Sequence, residues 1–480
     1  MELTDINLDG VRHIHLMGIG GAGMSGLALL LKELGFEVSG CDMSYGFYVD
    51  KVTNAEIDFN IGHSPDHLDK FKPDLVVYTG AIPENNEELC AARSLGVKVA
   101  KRAQMLSAIF DVRYGIGVAG THGKTTTSSM ISMVLGGAGL DPTVAIGGEL
   151  CDIGCNAKLG QGPHMVAELD ESDGSFLHFH PTISVITNVD WDHVNYYPDF
   201  DSVLESFSSF TGNLREGGIT VLCGEDPGVR RLLRESRKKF PNLTYGWGKK
   251  WDWGAAEVEY NHGGGVSFKV LKHGRSLGRI TLAVSGDHNV MNALAACVVA
   301  DLLSIPFQVT CDNLRYFSGA KRRLQFKGGT EGVDVYDDYG HHPREVEATI
   351  KAVGQSFPGR KIFIVFQPHR YTRTAAMADD FARVLAQADK VVLLPIYAAD
   401  EPPIDGVTSA LIGDPLIKSG HTCFSMVERR EDALDSILSL VDDGDVVLTV
   451  GAGDVSDMGD VLIKEIARKE ILPRSVALGA

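Results

Sequence analysis

Val118-Ala119-Gly120-Thr121-His122-Gly123-Lys124-Thr125-Thr126-Thr127 sits between an apolar run at 114–118 and an amphipathic segment that begins near Thr125. The pattern predicts a strand, a glycine-rich turn and a helix. A turn that ends in Gly-Lys-Thr and opens a helix is suited to cradling nucleotide phosphates. Glycine lets backbone N–H groups close on phosphate oxygens, and the helix N-terminus adds positive potential. Lys124 can reach the outer phosphates, and the Thr125 hydroxyl can ligate Mg²⁺. Gly120, Thr121, His122, Gly123, Lys124, Thr125 and Thr126 are therefore the candidate nucleotide contacts. One position departs from the usual loop. Val118 stands where the first glycine belongs, so Gly117 or Gly120 must supply the bend.

A second glycine turn lies upstream. Gly18-Ile19-Gly20-Gly21-Ala22-Gly23 is a full GxGxxG between a predicted strand at 13–17 and a predicted helix at 23–34. Asp42 follows the next strand, at 37–41. Such a turn brings a diphosphate against a helix N-terminus. Alone it fits a nicotinamide dinucleotide or a UDP-linked substrate, and packing of helix on sheet would also need the glycines. Further strands are predicted at 75–78 and 97–100. Strands alternating with helices imply a parallel sheet.

At 480 residues the chain exceeds one hydrophobic core, and roughly two to four domains are expected. The net charge of −18 speaks against general affinity for nucleic acid or an anionic membrane. It leaves room for anionic small molecules bound by local Arg clusters. The eight cysteines form no CxxC pair, which reads as reduced, buried thiols in a cytosolic protein. Met1-Glu2-Leu3-Thr4-Asp5 carries no signal-peptide pattern, and no apolar run reaches membrane-spanning length.

The chain divides into segments at 1–108, 109–318 and 319–480. In the second, strands are predicted at 165–168 and 184–187. A hairpin at 256–260 and 266–271 around Asn261-His262-Gly263-Gly264-Gly265 predicts an antiparallel flap beside a parallel sheet. A helix at 290–303 ends before Pro306. The third segment is again α/β, with strands at 333–337, 361–366, 390–394 and 446–450.

Several clusters follow predicted strands, where α/β proteins place ligands. Glu168-Leu169-Asp170-Glu171-Ser172-Asp173 can supply a carboxylate to Mg²⁺ on a nucleotide, and Asn188-Val189-Asp190-Trp191-Asp192-His193 ends at the same edge. Asp287 or His288 can serve simply as the helix N-cap region, and Asn292 can face an adenine. Arg322-Arg323 can offset charge on a transferring phosphoryl group. Arg370 and Arg373, three apart after a strand, suit a carboxylate, although a solvated basic loop has the same composition.

In this order the motifs resemble those of the Mur ligases, ATP-dependent amino-acid ligases of cytoplasmic peptidoglycan synthesis. The resemblance spans nearly the whole chain, from Gly18 through Gly123-Lys124-Thr125, Glu168, His193, His288-Asn289, Lys321-Arg322-Arg323, Asp338-Tyr339-Gly340-His341-His342-Pro343 and Gln367 to Thr374. It implies three domains: a Rossmann-like UDP-binding domain (1–108), a central P-loop ATPase domain with an antiparallel flap (109–318), and a C-terminal Rossmann-like domain that binds the amino acid (319–480). It implies that Gly18, Gly20, Gly21, Ala22, Gly23, Met24, Ser25 and Asp42 hold the UDP-sugar. Lys124, Asn292, Arg323 and Asp338 would serve ATP. Thr125, Glu168 and His193 would hold Mg²⁺. Tyr339, His341, Arg370 and Arg373 would bind the amino acid, with Lys124, Glu168, His193 and Arg323 catalytic.

Ser208 stands about fifteen residues after His193, where other branches carry a carbamylated lysine. Its presence agrees with the branch that joins L-alanine to UDP-N-acetylmuramate. That branch implies a cytoplasmic monomer or homodimer acting on those two substrates, without nucleic acid or membrane. A sister branch that adds a recycled tripeptide shares the ATP machinery, and a nicotinamide oxidoreductase or an NTP-driven switch are the readings from other classes. Gly340 replaces the family's usual alanine and is expected to loosen its turn.

Overall fold

The computed structural model describes residues 6, 8–147, 157–236, 239–330, 332–399 and 401–471. The Met1-to-Asp5 stretch, Cys151 and Cys155 lie outside them. The fold is α/β, built on three sheets.

The first sheet is wholly parallel and runs Asp58–Ile61, Glu37–Asp42, His13–Met17, Leu75–Tyr78, Lys98–Lys101. Strand order reverses beside His13–Met17, so the GxGxxG turn that follows opens into the crevice at the switch point. The helix Arg102–Asp111 then leads into the second sheet. That sheet has ten strands with Tyr114–Ala119 near its middle, flanked by Ile183–Ile186 and His164–Glu168. Its strands Ile219–Cys223 and Asn242–Trp247 extend the parallel part, and Trp253–Tyr260, Val266–Lys272 and Arg275–Leu282 form the expected antiparallel flap. Gly263, Gly264 and Gly265 all have positive φ in the flap's turn, which L-residues resist. The third sheet pairs Gln325–Thr330 antiparallel to Val333–Asp338 and continues in parallel through Val446–Val450, Ile362–Phe366, Lys390–Leu393 and Phe424–Met426.

Strands buried on both faces read as unbroken apolar runs. Along Ile183–Ile186 and Ile219–Cys223, alternate residues enter different cores: Val185 and Val221 one, Ile186 and Leu222 the other. The core holding Ile186 also holds Ile14, Leu16 and Leu27 of the first sheet's layer. The first two sheets therefore share one hydrophobic core. The third has separate apolar layers on its two faces.

One expectation needs correction. Cys41, Cys223 and Cys297 are buried, but Cys90 and Cys423 are exposed. Cys90 lies on the outer side of the helix Glu87–Ser94, whose buried residues are Glu88, Leu89 and Ala92.

Phe110 is fully buried and meets Phe179 edge-on at 5.4 Å, joining the linking helix to the second sheet's layer. Phe110→Ala should destabilise the fold by about 3–5 kcal/mol through cavity formation. Urea melts followed by tryptophan fluorescence will show this as a lower midpoint; an unchanged midpoint would mean the shared core does not couple the two layers.

Candidate active site

The phosphate-type loop is shaped by two glycines. Gly120 (φ 129°) and Gly123 (φ 81°) are left-handed, while Gly117 is not, so Gly120 supplies the bend that Val118 cannot. A Cβ on Gly120 would lie 2.1 Å from Thr187 Oγ1. The next strand's tip grips the loop. Thr187 Oγ1 and Asn188 Nδ2 donate to His122 O at 2.6 and 2.8 Å, and His122 N donates to Asn188 Oδ1 at 2.8 Å. Gly123 then opens the helix Lys124–Gly137 with its first N–H groups unpaired by any side-chain cap, the arrangement that receives an anion.

Carboxylates gather at the same edge. Lys124 Nζ lies 2.7 Å from Glu171 Oε2 and donates to Gly120 O at 2.6 Å. Burial alone would lower this lysine's pKa, but Glu171, Asp170 and Glu168 raise it, so it stays charged. The Thr125 hydroxyl donates to both oxygens of Glu168 at 3.0 Å, and Gly147 N donates to Oε2 at 2.8 Å. Burial pushes the Glu168 carboxyl up. His193 Nε2 faces Glu171 Oε1 at 3.5 Å and Asp192 Oδ2 at 3.9 Å, rather than Glu168. Glu171 thus bridges the lysine and the histidine.

The third sheet's layer closes over this edge through charge. His122 lies between Asp190 Oδ2 (3.4 Å) and Glu345 Oε1 (3.2 Å). Burial would lower its pKa, but the two carboxylates outweigh that and hold it up to about 9. Arg344 reaches Asp190 at 2.8 Å and Asp226 at 3.4 Å. Arg323 Nη1 stands 3.7 Å from Glu345 and over the Tyr339 ring. Asp338, pushed up to about 6 by burial, accepts from Leu324 N at 2.7 Å and Gly340 N at 2.8 Å. The second of these bonds ties the Gly340 backbone to Asp338. Between the layers lies a cavity of about 340 Å³ lined by Asn292, His288, Arg323 and Asp338. Asn292 accepts from Thr127 Oγ1 at 3.1 Å and would touch a Cβ on Gly123, so it also supports the loop.

A larger cleft of about 1010 Å³ adjoins it, with Ala22, Lys124, Glu168, His193, Arg323, His341, Arg370 and Arg373 among its walls. The two predicted arginines differ sharply. Arg373 is buried and gives three hydrogen bonds to Asp192, the shortest 2.9 Å. Arg370 is 44% exposed and has Glu401 at 3.7 Å. His341 and His369 sit nearby, burial holding them down to about 4 and about 3, so both are neutral. At the cleft's far side Gly18 and Ile19 donate to Cys41 O, and Gly20 N donates to Asp42 Oδ2 at 2.9 Å. Asp42 therefore shapes the turn. Met24 and Ser25 are buried, and the Ser25 hydroxyl bonds Ala22 O.

The structure brings the glycine turn, the loop, Glu168, His193, Arg323 and Arg370 to one cleft. Sequence reasoning missed Glu345, Arg344 and Arg102, whose Nη1 would lie 2.9 Å from a Cβ on Gly23. Glu345 had a local signal: it forms a capping box with His342 at the start of the helix Pro343–Ser356.

Comparison with known proteins gives three matches in chain order. The "Mur ligase family, catalytic domain" matches residues 13–114, the "Mur ligase middle domain" residues 118–300, and the "Mur ligase, glutamate ligase domain" residues 322–453. The chain is 44% identical over 448 residues to a UDP-N-acetylmuramate–L-alanine ligase from Desulfosudis oleivorans, covering 93% of this chain and 97% of that protein. It is 42% identical to one from Sorangium cellulosum, covering 93% and 94%. Among solved structures it is similar to a UDP-N-acetylmuramate-alanine ligase from Thermotoga maritima, with TM-score 0.79, 29% identity, and coverage of 96% and 100%.

The His122 shift has a sign that can be checked. Its pKa is raised from 6.5 to about 9, so its contribution to stability is complete below about 6.5 and is lost as pH rises through about 9. Histidine NMR should show one ring titrating near that upper value, and His122→Gln should abolish that transition. A wild-type protein whose rings all titrate at or below 6.5 would exclude the paired arrangement.

Proposed function

The chain belongs to the Mur ligase family, and on that premise we propose that it is an ATP-dependent ligase joining L-alanine to the lactyl carboxylate of UDP-N-acetylmuramate, in cytoplasmic peptidoglycan precursor synthesis. The observation that carries this reading is the single cleft in which a dinucleotide-type turn, a Gly-Lys-Thr loop and an exposed arginine meet. Relatives of that activity, matched along nearly their full length, support it over the tripeptide-adding branch and over an oxidoreductase.

In this reading residues 1–108 receive the UDP-sugar, 109–318 the ATP and 319–480 the L-alanine. The turn from Gly18 to Gly23 takes the diphosphate with its backbone N–H groups. Residues Gly120 to Thr126 wrap the ATP phosphates, and Asn292 and Asp338 lie by the purine cavity. Thr125 and Glu168 present hard oxygen donors side by side at the loop, a set that suits Mg²⁺, and His193 stands at the same edge. Mg²⁺ held there would offset phosphate charge. Tyr339, His341 and Arg370 face the amino acid, and Arg373 fixes that wall by its bond to Asp192.

The chemistry follows from the electrophile. A carboxylate resists amines, so it must first be activated. Its oxygen attacks the γ-phosphorus, the bond to ADP breaks, and an acyl phosphate forms. Lys124 and Arg323 stabilise charge on the transferring group. The neutral amine of L-alanine then attacks the acyl carbon, the carbon–oxygen bond to phosphate breaks, and one amine proton passes to the departing phosphate or to solvent. The charged junction around Glu345 closes the cleft against water, which would otherwise hydrolyse the acyl phosphate.

The test is phosphate release from ATP that requires both UDP-N-acetylmuramate and L-alanine. Lys124→Ala should lower kcat by about 10²–10³-fold or more while leaving the circular dichroism spectrum unchanged. Normal turnover in that folded variant would remove the ATP site from the loop.

The two arginines should separate in kinetics. Arg370→Ala should raise the L-alanine KM by roughly ten- to a hundred-fold, the value of a charge-assisted bond, with the other two KM values little moved. Arg373→Ala leaves Asp192 buried and unpaired, so it should lower thermal stability as well. Equal effects of Arg370→Ala on all three substrates would place the amino acid elsewhere.

A further inference from the structure

The first domain holds a second cluster of chemistry-bearing side chains that the reaction does not use. Along His13–Met17 alternate residues face opposite sides. Ile14 and Leu16 join the shared core, and Met17 joins Cys41 in a separate layer beneath the helices Asp66–Phe71 and Glu87–Ser94. His15 and Cys41 lie on that covered face, and the two helices bring His67 and Glu88 down to it. His15, Cys41 and Glu88 are 0% exposed and His67 8%. One donor atom from each of the four lies within 4.8 Å of the others.

The four donors sit close enough to share one ion, and those around Glu88 are packed slightly tighter than the edges of a coordination tetrahedron, so they would open a little around it. Zinc–ligand bonds of about 2.0–2.3 Å set neighbouring donors about 3.3–3.8 Å apart. His15 Nε2 is 3.0 Å and His67 Nδ1 3.2 Å from Glu88 Oε1, and Cys41 Sγ is 3.4 Å from Oε2. Two further observations point to a ligand. His15 Nε2 is fully buried and faces Glu88 without hydrogen-bond geometry. Its other nitrogen, Nδ1, lies 2.8 Å from Ser39 Oγ, which is also 2.9 Å from His13 Nε2. The hydroxyl has one hydrogen. Given to His13, it lets Ser39 accept from His15 Nδ1–H, and the Nε2 lone pair then points into the cluster. Metal-bound imidazoles are commonly oriented in this way.

We propose that His15, Cys41, His67 and Glu88 bind a structural zinc ion. On binding, the Cys41 S–H bond breaks, the sulfur becomes the thiolate ligand and the proton leaves to solvent. The charges then cancel: +2 on the ion against one thiolate and one carboxylate, so the buried site is neutral. Four protein donors leave no open position, the mark of a structural site. His63 Nδ1, 3.1 Å from Cys41 Sγ, is placed to donate to the thiolate. The ion would also brace the glycine turn, because Cys41 O accepts the N–H groups of Gly18 and Ile19.

The full chain, purified without a polyhistidine tag from zinc-supplemented cells, should retain one zinc per chain by elemental analysis. After chelation, cobalt(II) should restore a thiolate-to-cobalt charge-transfer band that Cys41→Ser lacks. Neither the group His122, Asp190 and His342 nor the loop donors Thr125, Glu168 and His193 includes a thiol, so neither can produce that band. Zinc should raise Tm in the wild type and not in Cys41→Ser, and His67→Gln should weaken zinc binding at least ten-fold in a protein that still folds. A folded wild type with neither zinc nor the band, or a band unchanged in Cys41→Ser, would reduce the cluster to hydrogen bonds around Glu88 and overturn the proposal.

Discussion

The carboxylate of Glu345 is the constraint on which the cleft depends. It sits in the first turn of the helix Pro343–Ser356 and accepts from His341 N at 3.0 Å, so its position is set by its own helix start. From there it meets His122 of the phosphate-type loop and Arg323 of the third segment. One largely enclosed acid therefore sets the height of the third layer above the loop. It also explains why the loop histidine stays protonated: an acid on each side outweighs the cost of burial.

The two junctions of the molecule are made of different materials. The first and second layers share an apolar core containing Leu16, Leu27, Phe110, Phe176 and Ile186. Separating them would expose that surface at about 25 cal/mol per Å². The second and third layers meet instead through Arg344 with Asp190, Arg373 with Asp192, and His122 with Glu345. Charged groups regain hydration when parted, so this junction opens at lower cost than the apolar one. The third layer is therefore the one that parts from the other two at lower cost.

Legibility in the sequence followed the range of the interaction. The two glycine turns, their strands and their helices are local patterns, and the turn conformations are chemically forced, as the left-handed Gly120 shows. The flap hairpin was equally local. The strands Ile219–Cys223 and Asn242–Trp247 were not legible, because short apolar runs beside polar residues carry no distinctive period. The partners within the cleft were invisible for another reason. His122 and Glu345 are 223 positions apart, and Arg373 and Asp192 are 181 apart. Residue type marked Arg370 and Arg373 as a pair; only packing shows that one is locked to Asp192 and the other is open.

The overall charge of −18 would repel polyanionic substrates, yet the cleft gathers Lys124 and Arg323, with Arg370 at its rim. Each has an acid at hand: Glu171, Glu345 and Glu401. These pairs let cations stay charged in a partly buried site before any phosphate arrives, which unpaired lysine or arginine could not do without a desolvation cost. They also set a condition on binding. A phosphate must offer Lys124 more than Glu171 does, and a second cation beside that phosphate relieves the repulsion from the displaced acid. Glu168 and Thr125 place oxygen donors next to the loop, where a divalent cation would meet that condition and make the acidic edge and the basic loop one site.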